Sequence, residues 1–316
     1  MSSPFSDLGH SPATPAPGND ANAGAAMATR QRSVCLCADD FGLREGINAA
    51  VLNLAQRRRL GATACMVDGP CWAEGAHALR ALPASWLDVG LHLDLTEMRL
   101  SQQRKYPRRR LIANSYLQRL DPNWLLAEAE RQLTVFETHM QRPPAFVSGH
   151  RHVHQLPQVR DALLQVLEQR YPAMQRRPWL RSTRPALQGS AALRIGWRNA
   201  LKARAIACLG AQALAQAATE RHFAMNRALA GVYGFDASAR NYQRLLAIWL
   251  QRCQHGDVLA CHPSNSVVPG DAIAHARCIE YQVLAADSFD HLLAQADVHI
   301  GPLSRQLQAD GSIAAI

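Results

Sequence analysis

Short apolar segments alternate with longer helical patterns from Ser33 to about residue 300. Apolar runs of this length are typical of buried strands, and their alternation with helices predicts parallel βαβ units. We predict strands at residues 34–38, 62–67, 86–93, from 146 onward, and at 179–181, 257–261 and 298–300, with 231–235 either a strand or a loop. We predict helices at 45–58, 72–81, 121–139, 157–169, 237–254 and 271–286, and an Ala-rich helical insertion at 188–228. The candidate reactive residues follow four of the strands, which favours an α/β fold of the TIM-like (β/α) barrel type over a doubly wound sheet.

Composition divides the chain into three parts. Residues 1–32 are rich in Ser, Pro, Ala, Gly and Asn and lack the pattern of a signal peptide, so we expect a disordered tail in which Met27 could be the true start. One domain is expected over residues 33–303, followed by a short tail over 304–316. The sequence contains no run of about 18 uncharged apolar residues, so we predict no transmembrane helix. The 8 cysteines form no CxxC pair or regular framework, which favours free thiols in a reducing cytoplasm.

The chain is basic, with 34 Lys and Arg against 25 Asp and Glu and a formal net charge of +9. Arginine clusters occur between 104 and 110 and between 170 and 184, so a nucleic-acid-binding protein is one alternative. Aromatic residues make up only 6%, however, and neither cluster carries a pattern for base stacking, which argues against nucleic acid as a partner. The clusters are instead expected in solvated loops, or along the approach of an anionic substrate.

Three histidines alternate directly after an apolar strand. His150, His152 and His154 follow Phe146 and Val147. Side chains on a strand alternate between its two faces, so the three imidazoles would share one face if the strand continues that far. Imidazole is both a common metal ligand and a proton carrier near neutral pH.

Acidic and histidine side chains also follow other predicted strands. Asp39 and Asp40 directly follow the first strand, His92 lies at the end of the third, and His262 follows the strand at 257–261. Asp40, His92 and His150 together would form a metal site with one carboxylate and two imidazoles. Asp39 could then act as a general base and His262 as a general acid, as amide hydrolysis requires. Each motif alone is ambiguous, because paired aspartates often cap helices and a histidine after a strand is often only hydrogen-bonded.

Four segments together resemble the YdjC/ChbG-like carbohydrate deacetylases, including the branch of hopanoid-associated HpnK proteins. They are residues 38–43 (ADDFGL), 90–96 (GLHLDLT), 150–154 (HRHVH) and 261–263 (CHP), and the resemblance spans about residues 33–303. It implies a deformed (β/α) barrel that removes N-acetyl groups from sugars with a bound divalent metal, usually Mg²⁺. Carried over by motif, Asp40, His92 and His150 become the metal ligands and Asp39 the base. His152 and His154 are expected beside the substrate or behind the ligands.

One position departs from the family pattern. Family members commonly carry an aspartate two residues before the first histidine of this motif, where this chain has Ser148. A carboxylate there would orient a ligand histidine, so Ser148 is expected to weaken metal binding while leaving the ligands intact. Two imidazole ligands also make Zn²⁺ chemically compatible.

The helical insertion carries an amphipathic pattern. Apolar residues recur at 193, 197, 201, 205 and 209 beside a basic series at 194, 198 and 202. Such a helix can lie on a membrane surface, which would make a lipid-linked sugar a candidate substrate, but this pattern more often packs on its own domain. A metal-binding but inactive scaffold is the remaining alternative, and the presence of Asp39 and His262 argues against it. The particular sugar and the formation of a homodimer stay open.

Overall fold

The computed structural model describes residues 32–97, 106–267, 270–309 and 311. In these segments eight parallel strands form one sheet, and they are listed here in chain order: β1 (Arg32–Phe41), β2 (Ala62–Cys65), β3 (Asp88–Leu93), β4 (Phe146–Gly149), β5 (Trp179–Leu180), β6 (Leu229–Ala230), β7 (Val258–Cys261) and β8 (Val298–Ile300). The strand order is β5-β4-β3-β2-β1-β7-β6, with β8 paired to the start of β1.

The curved sheet comes close to closing into a barrel. Its two edge strands, β5 and β6, are each two residues long. Between them, isolated parallel bridges join Leu180 to Met225 and Pro185 to Leu229. The predicted deformed (β/α) barrel is therefore confirmed. The deformation lies between β5 and β6, which share no ladder within the described residues: across this gap β5 is bridged only to Met225, before β6, and β6 only to Pro185, after β5.

Twelve helices accompany these strands within the described residues. Between β1 and β4 lie α1 (Glu45–Gln56), α2 (Trp72–Arg80), α3 (Arg108–Tyr116) and α4 (Pro122–Met140). Between β4 and β6 lie α5 (Pro157–Arg170), α6 (Gly189–Leu193), α7 (Trp197–Cys208) and α8 (Ala211–Glu220). The last four are α9 (Ala239–Arg252), α10 (Ala274–Ala285), α11 (Ser288–Ala296) and α12 (Leu303–Ala309). No helix of the described segments has the length and hydrophobicity needed to cross a bilayer.

The barrel interior is filled by alternate residues of the strands. Small side chains at 35, 37, 62, 64 and 260 belong to the same buried cluster as Phe146 and Trp179, whose rings stack at 4.2 Å. The intervening strand residues belong to a second cluster that includes residues of the surrounding helices. This period of two is what a strand buried on both faces requires. It also predicts that Asp39 continues the inward series of Cys35 and Cys37.

Several predicted elements differ from the structure. The arginine cluster at 104–110 does not lie wholly in a loop, since α3 begins at Arg108, and the helical insertion is divided into three helices, α6 to α8. Residues 231–235 form a loop after the short strand β6. Helix α12 covers 304–309 of the predicted C-terminal tail. The predicted N-terminal tail, apart from Arg32, and the first arginine of the 104–110 cluster lie outside the described residues.

The 8 cysteines are all free, as predicted from their spacing. Most of them are buried, and Cys208 at the end of α7 is exposed.

Candidate active site

The carboxyl ends of β1, β3, β4 and β7 meet at one end of the barrel. A register shift between Ala38 and Phe41 distorts the end of β1, where Asp40 takes the left-handed conformation with φ 68°. Gly42 follows with φ 94°, and a Cβ at that position would lie 2.7 Å from the backbone oxygen of Met66. The Asp-Asp-Phe-Gly sequence thus turns sharply at the sheet end, which directs the two aspartates apart.

Asp40, His92 and His150 converge at this end of the barrel. One potential ligand atom from each lies within 4.8 Å of the others. Asp40 Oδ1 is 3.1 Å from Nδ1 of His150 and 3.5 Å from Nε2 of His92. Asp40 and His92 are buried, whereas the His150 side chain is 13% exposed. This donor set is the one that a divalent cation with open coordination positions requires.

Ser148 holds His92 from behind. Its Oγ lies 2.7 Å from Nδ1 of His92 and donates to the backbone oxygen of Leu91 at 3.5 Å. In the tautomer that carries its proton on Nδ1, His92 donates to this hydroxyl, and the Nε2 lone pair faces Asp40. Burial lowers the pKa of His92 to about 3, against the opposing charges of Asp39 and Asp40, so its imidazole is neutral.

His150 has the opposite electrostatic character. Burial opposes its charged form, but hydrogen bonding with Asp40 and the nearby carboxylate of Glu97 outweigh burial and raise the pKa of His150 to about 9. Its Nε2 atom is buried without a hydrogen-bond partner among the described residues, with Glu97 Oε2 3.8 Å away. A bound cation would replace the proton on this imidazole, because a ring nitrogen binds a metal ion through its lone pair.

Two buried arginines neutralise the two aspartates. Arg277 Nη2 donates to Asp40 Oδ2 at 2.7 Å, and Arg181 Nη1 donates to Asp39 Oδ2 at 2.7 Å. Burial alone would raise the pKa of both carboxyl groups. The charge of Arg181 reverses this and lowers the pKa of Asp39 to about 2, while Arg277 and His150 hold the pKa of Asp40 well below its ordinary value. Both carboxylates are therefore ionised at neutral pH.

His262 faces Asp39 from the end of β7. Its Nε2 lies 4.0 Å from Asp39 Oδ2, its Nδ1 lies 4.0 Å from Glu280 Oε1, and its backbone N–H donates to Glu280. Glu280 is fully buried and accepts a second hydrogen bond from the hydroxyl of Tyr233 at 2.8 Å. The ring of Phe235 packs edge-on against the imidazole at 5.1 Å. His262 is thus held between a carboxylate and an aromatic ring with one edge toward the cavity.

The expectation that His150, His152 and His154 share one strand face is wrong. Strand β4 ends at Gly149, and residues 150–155 form a distorted 3₁₀ segment in which Arg151 and His152 have φ values of 52° and 63°. His152 lines the cavity beside His150. His154 is completely buried outside the cavity lining, where its Nε2 donates to the backbone oxygen of Arg181 at 2.8 Å.

A cavity of about 360 Å³ opens over these groups. Asp39, Asp40, His92, His150 and His262 all line it. Its lining also contains a set of cationic side chains from four separate segments, which are Arg44, Arg108, Arg151 and Lys202. The cavity is therefore large enough for a sugar unit and carries positive charge around its reactive groups.

Sequence reasoning missed Arg181, Arg277 and Glu280. Arg181 belongs to the arginine cluster expected in solvated loops, but it directly follows β5 and is only 1% exposed. Arg277 and Glu280 lie three residues apart on the buried face of α10, among Ala276 and Val283. Charged residues on the apolar face of a predicted helix are the signal that could have identified this pair.

The YdjC-like protein family matches residues 33–295. A chitooligosaccharide deacetylase of Salmonella schwarzengrund (strain CVM19633) is 24% identical over 273 residues, which are 84% of this chain and 95% of that protein. One from Serratia marcescens is 31% identical over 129 residues, which are 39% of this chain and 50% of that protein. The crystal structure of a candidate cellobiose-phosphate cleavage protein from Enterococcus faecalis V583 has a TM-score of 0.61 at 16% identity, covering 87% of this chain and 98% of that chain, and so shares the fold.

Proposed function

This chain belongs to the YdjC-like family, and we propose that it is a metal-dependent hydrolase that removes N-acetyl groups from an acetylated sugar. The observation that carries the proposal is the convergence of Asp40, His92 and His150 in the same cavity as Asp39 and His262. The Salmonella and Serratia relatives are chitooligosaccharide deacetylases, which supports an N-acetylated oligosaccharide as the substrate class.

Asp40, His92 and His150 would hold a divalent cation. When bound, such a cation polarises a carbonyl oxygen and lowers the pKa of coordinated water. The fit rests on the convergence of one donor atom from each of the three residues within 4.8 Å and on the Nε2 of His92, which Ser148 leaves free to act as a ligand. Mg²⁺ is the ion that the family resemblance implies, and Zn²⁺ is chemically compatible with the two imidazoles.

Asp39 and His262 would move the protons of the reaction. Amide hydrolysis needs one group that accepts a proton from the attacking water and another that protonates the departing amine nitrogen. Asp39 is ionised, which is the state that accepts a proton, although its ion pair with Arg181 makes it a weak base. His262 would donate from Nε2, the nitrogen nearer to Asp39, while Glu280 supports the charged imidazole from the other side.

The closed back of the site would hold these groups in place. Arg181 is anchored twice, by Asp39 through its guanidinium and by His154 through its backbone oxygen. His154 therefore acts on the reaction through the position of Arg181, and His152 is left as the histidine of this pair that can contact substrate. The pairing of each reactive aspartate with one buried arginine would keep two adjacent, buried carboxylates ionised.

The test is hydrolysis of N-acetylated mono- and oligosaccharides, with acetate and free amine measured together. Equal amounts of both products are expected, with loss of turnover on chelation and recovery with Mg²⁺ or Zn²⁺. His92→Ala should abolish the recovery, whereas His299→Ala, which alters an exposed histidine on β8, should not. Acetate release that persists after complete removal of metal would contradict the proposal, as would cleavage of the glycosidic bond.

A further inference from the structure

The outer face of α7 exposes large apolar side chains. Trp197 is 63% exposed and Leu201 59%, and Leu193 on the adjoining helix α6 is 63% exposed. The expectation that this apolar series packs on the domain is therefore wrong at these three positions. The side of α7 that faces the domain is occupied instead by the buried residues Ala200, Ala203 and Ile206.

The exposed apolar side chains form a stripe that is bordered by arginines. An α-helix turns by about 100° per residue, so Trp197, Leu201 and Cys208 fall within about 40° of one another around the axis. Arg204 borders this arc on one side and Arg198 on the other, and both are exposed. The Arg198 guanidinium lies 5.3 Å from the Trp197 ring centre. We call Leu193, Trp197 and Leu201, with these two arginines, the α6–α7 face.

The same helix forms part of the cavity wall. Lys202 and Ile206 of α7 line the cavity, and Lys202 directly follows the exposed Leu201. The pKa of Lys202 is lowered, mainly by burial. Repulsion by the nearby charge of Arg108 lowers it further. Arg109 and Arg110, next to Arg108 on α3, are exposed. Positive charge therefore surrounds the side of the cavity that adjoins the α6–α7 face.

We propose that the α6–α7 face docks on the surface of an anionic lipid bilayer. Trp197, Leu201 and Leu193 would enter the headgroup region, and Arg198 and Arg204 would bind lipid phosphates. An apolar stripe with tryptophan and leucine between basic residues is the pattern of a helix that lies in the membrane interface. A second copy of the chain fits this face less well, because a two-fold contact would bring the same arginines of both copies together.

The test measures partitioning of the full chain onto vesicles by sedimentation, without turnover. Vesicles of phosphatidylcholine alone are compared with vesicles that also contain phosphatidylglycerol. Binding to the anionic vesicles is expected, and the double variant Trp197→Gln/Leu201→Gln should weaken it at least about tenfold. Arg198→Gln/Arg204→Gln should weaken binding to anionic vesicles by about tenfold or more and change binding to neutral ones little. Leu117→Gln, at a leucine that is 57% exposed beside α3, is the matched control and should bind like the unaltered protein.

Three results would overturn the docking proposal. The first is no binding to anionic vesicles, and the second is binding that the Trp197→Gln/Leu201→Gln variant retains. The third is a dimer or a stable complex with a soluble acidic protein that forms through this face and that the same variant disrupts. The proposal does not depend on the deacetylase activity, and turnover of a water-soluble oligosaccharide should be unchanged in that variant.

Discussion

Arg277 and Asp40 form a buried ion pair that determines how the aspartate is presented. The guanidinium Nη2 donates to Asp40 Oδ2 at 2.7 Å, so Oδ1 alone faces His92 and His150. The Nε atom of the same arginine donates to Asp271 at 2.7 Å, on the segment that lines the cavity before α10. Arg277 therefore orients the carboxylate and connects it to the cavity wall.

Replacing Arg277 by methionine should destabilise the metal-free protein strongly. Loss of one partner from a buried ion pair leaves the other charge uncompensated, which costs about 3–5 kcal/mol of unfolding free energy. A divalent cation at Asp40 would supply the missing positive charge, so the loss should be smaller with metal than without it. Denaturant unfolding of both forms measures this difference. Arg240→Met, at an exposed position, should change stability by no more than about 0.5 kcal/mol.

Substitutions of the two adjacent aspartates should affect metal binding and proton transfer separately. Asp40→Asn removes the negative charge among the proposed ligands and should lower metal occupancy. Asp39→Asn should leave the metal bound and reduce turnover by about 10²–10⁴-fold, the usual range for a general base. Metal content and turnover, measured on each purified variant, distinguish a ligand from a general base. A fully active Asp39→Asn enzyme would remove Asp39 from the mechanism.

A loss of turnover in the Asp39→Asn variant can also have a structural cause, and a separate control is needed to detect it. The substitution also leaves the charge of Arg181 buried without its partner, which lowers stability for reasons unrelated to catalysis. The double variant Asp39→Asn/Arg181→Gln removes both charges and should recover much of the stability, because the two residues are coupled. If Asp39 is the base, the double variant stays inactive. Recovered turnover would assign Asp39 a purely structural role.

Ser148 should govern how well His92 binds metal. Its hydroxyl lies 2.7 Å from His92 Nδ1. At position 148 the family pattern commonly has an aspartate. Ser148→Ala removes this partner and should weaken metal affinity by about 10–100-fold. Ser148→Asp should bind metal at least as tightly as the unaltered protein, because a carboxylate is a stronger acceptor for Nδ1–H. Calorimetric titration of the metal-free proteins measures both, and equal affinity in all three would show that Ser148 has no influence.

The sequence was sufficient to predict the barrel and to bring most of the candidate residues together. Strand and helix periods are local properties of the chain, and parallel strands place their carboxyl ends at one edge whatever the loops do. The sequence alone therefore predicts that Asp40, His92 and His150 lie close together. The sequence also predicts the short strand at 298–300, which continues the alternation of helices and strands.

Features that depend on contacts between distant segments could not be predicted in this way. Arg181 is buried because Asp39, 142 residues away, offers a carboxylate inside the barrel. His154 leaves the strand because Arg151 and His152 take left-handed conformations that sequence alternation does not reveal. The exposure of Trp197 has the same origin, since only the packing of Ala200 and Ile206 against the domain decides which side of α7 faces solvent.

Glu280 offers a test in which stability and activity should change in opposite directions. Burial raises the pKa of Glu280 above its ordinary value of 4.5, against the opposing influence of His262. A carboxyl group with a raised folded-state pKa binds its proton more tightly when folded, so its contribution to stability is lost as the pH rises from 4.5 through the folded-state value. Glu280→Gln lacks this titration. The variant should therefore be at least as stable as the unaltered protein above that window.

Turnover of Glu280→Gln should nevertheless fall by about 10–10²-fold, since a positioned acid contributes about 10²–10⁴-fold and His262 loses its supporting charge. Unfolding free energies and turnover of both proteins measure these effects, with Glu220→Gln, at an exposed residue of α8, as the control. A variant that loses stability and activity together would mean that Glu280 only supports the fold around Tyr233 and β7.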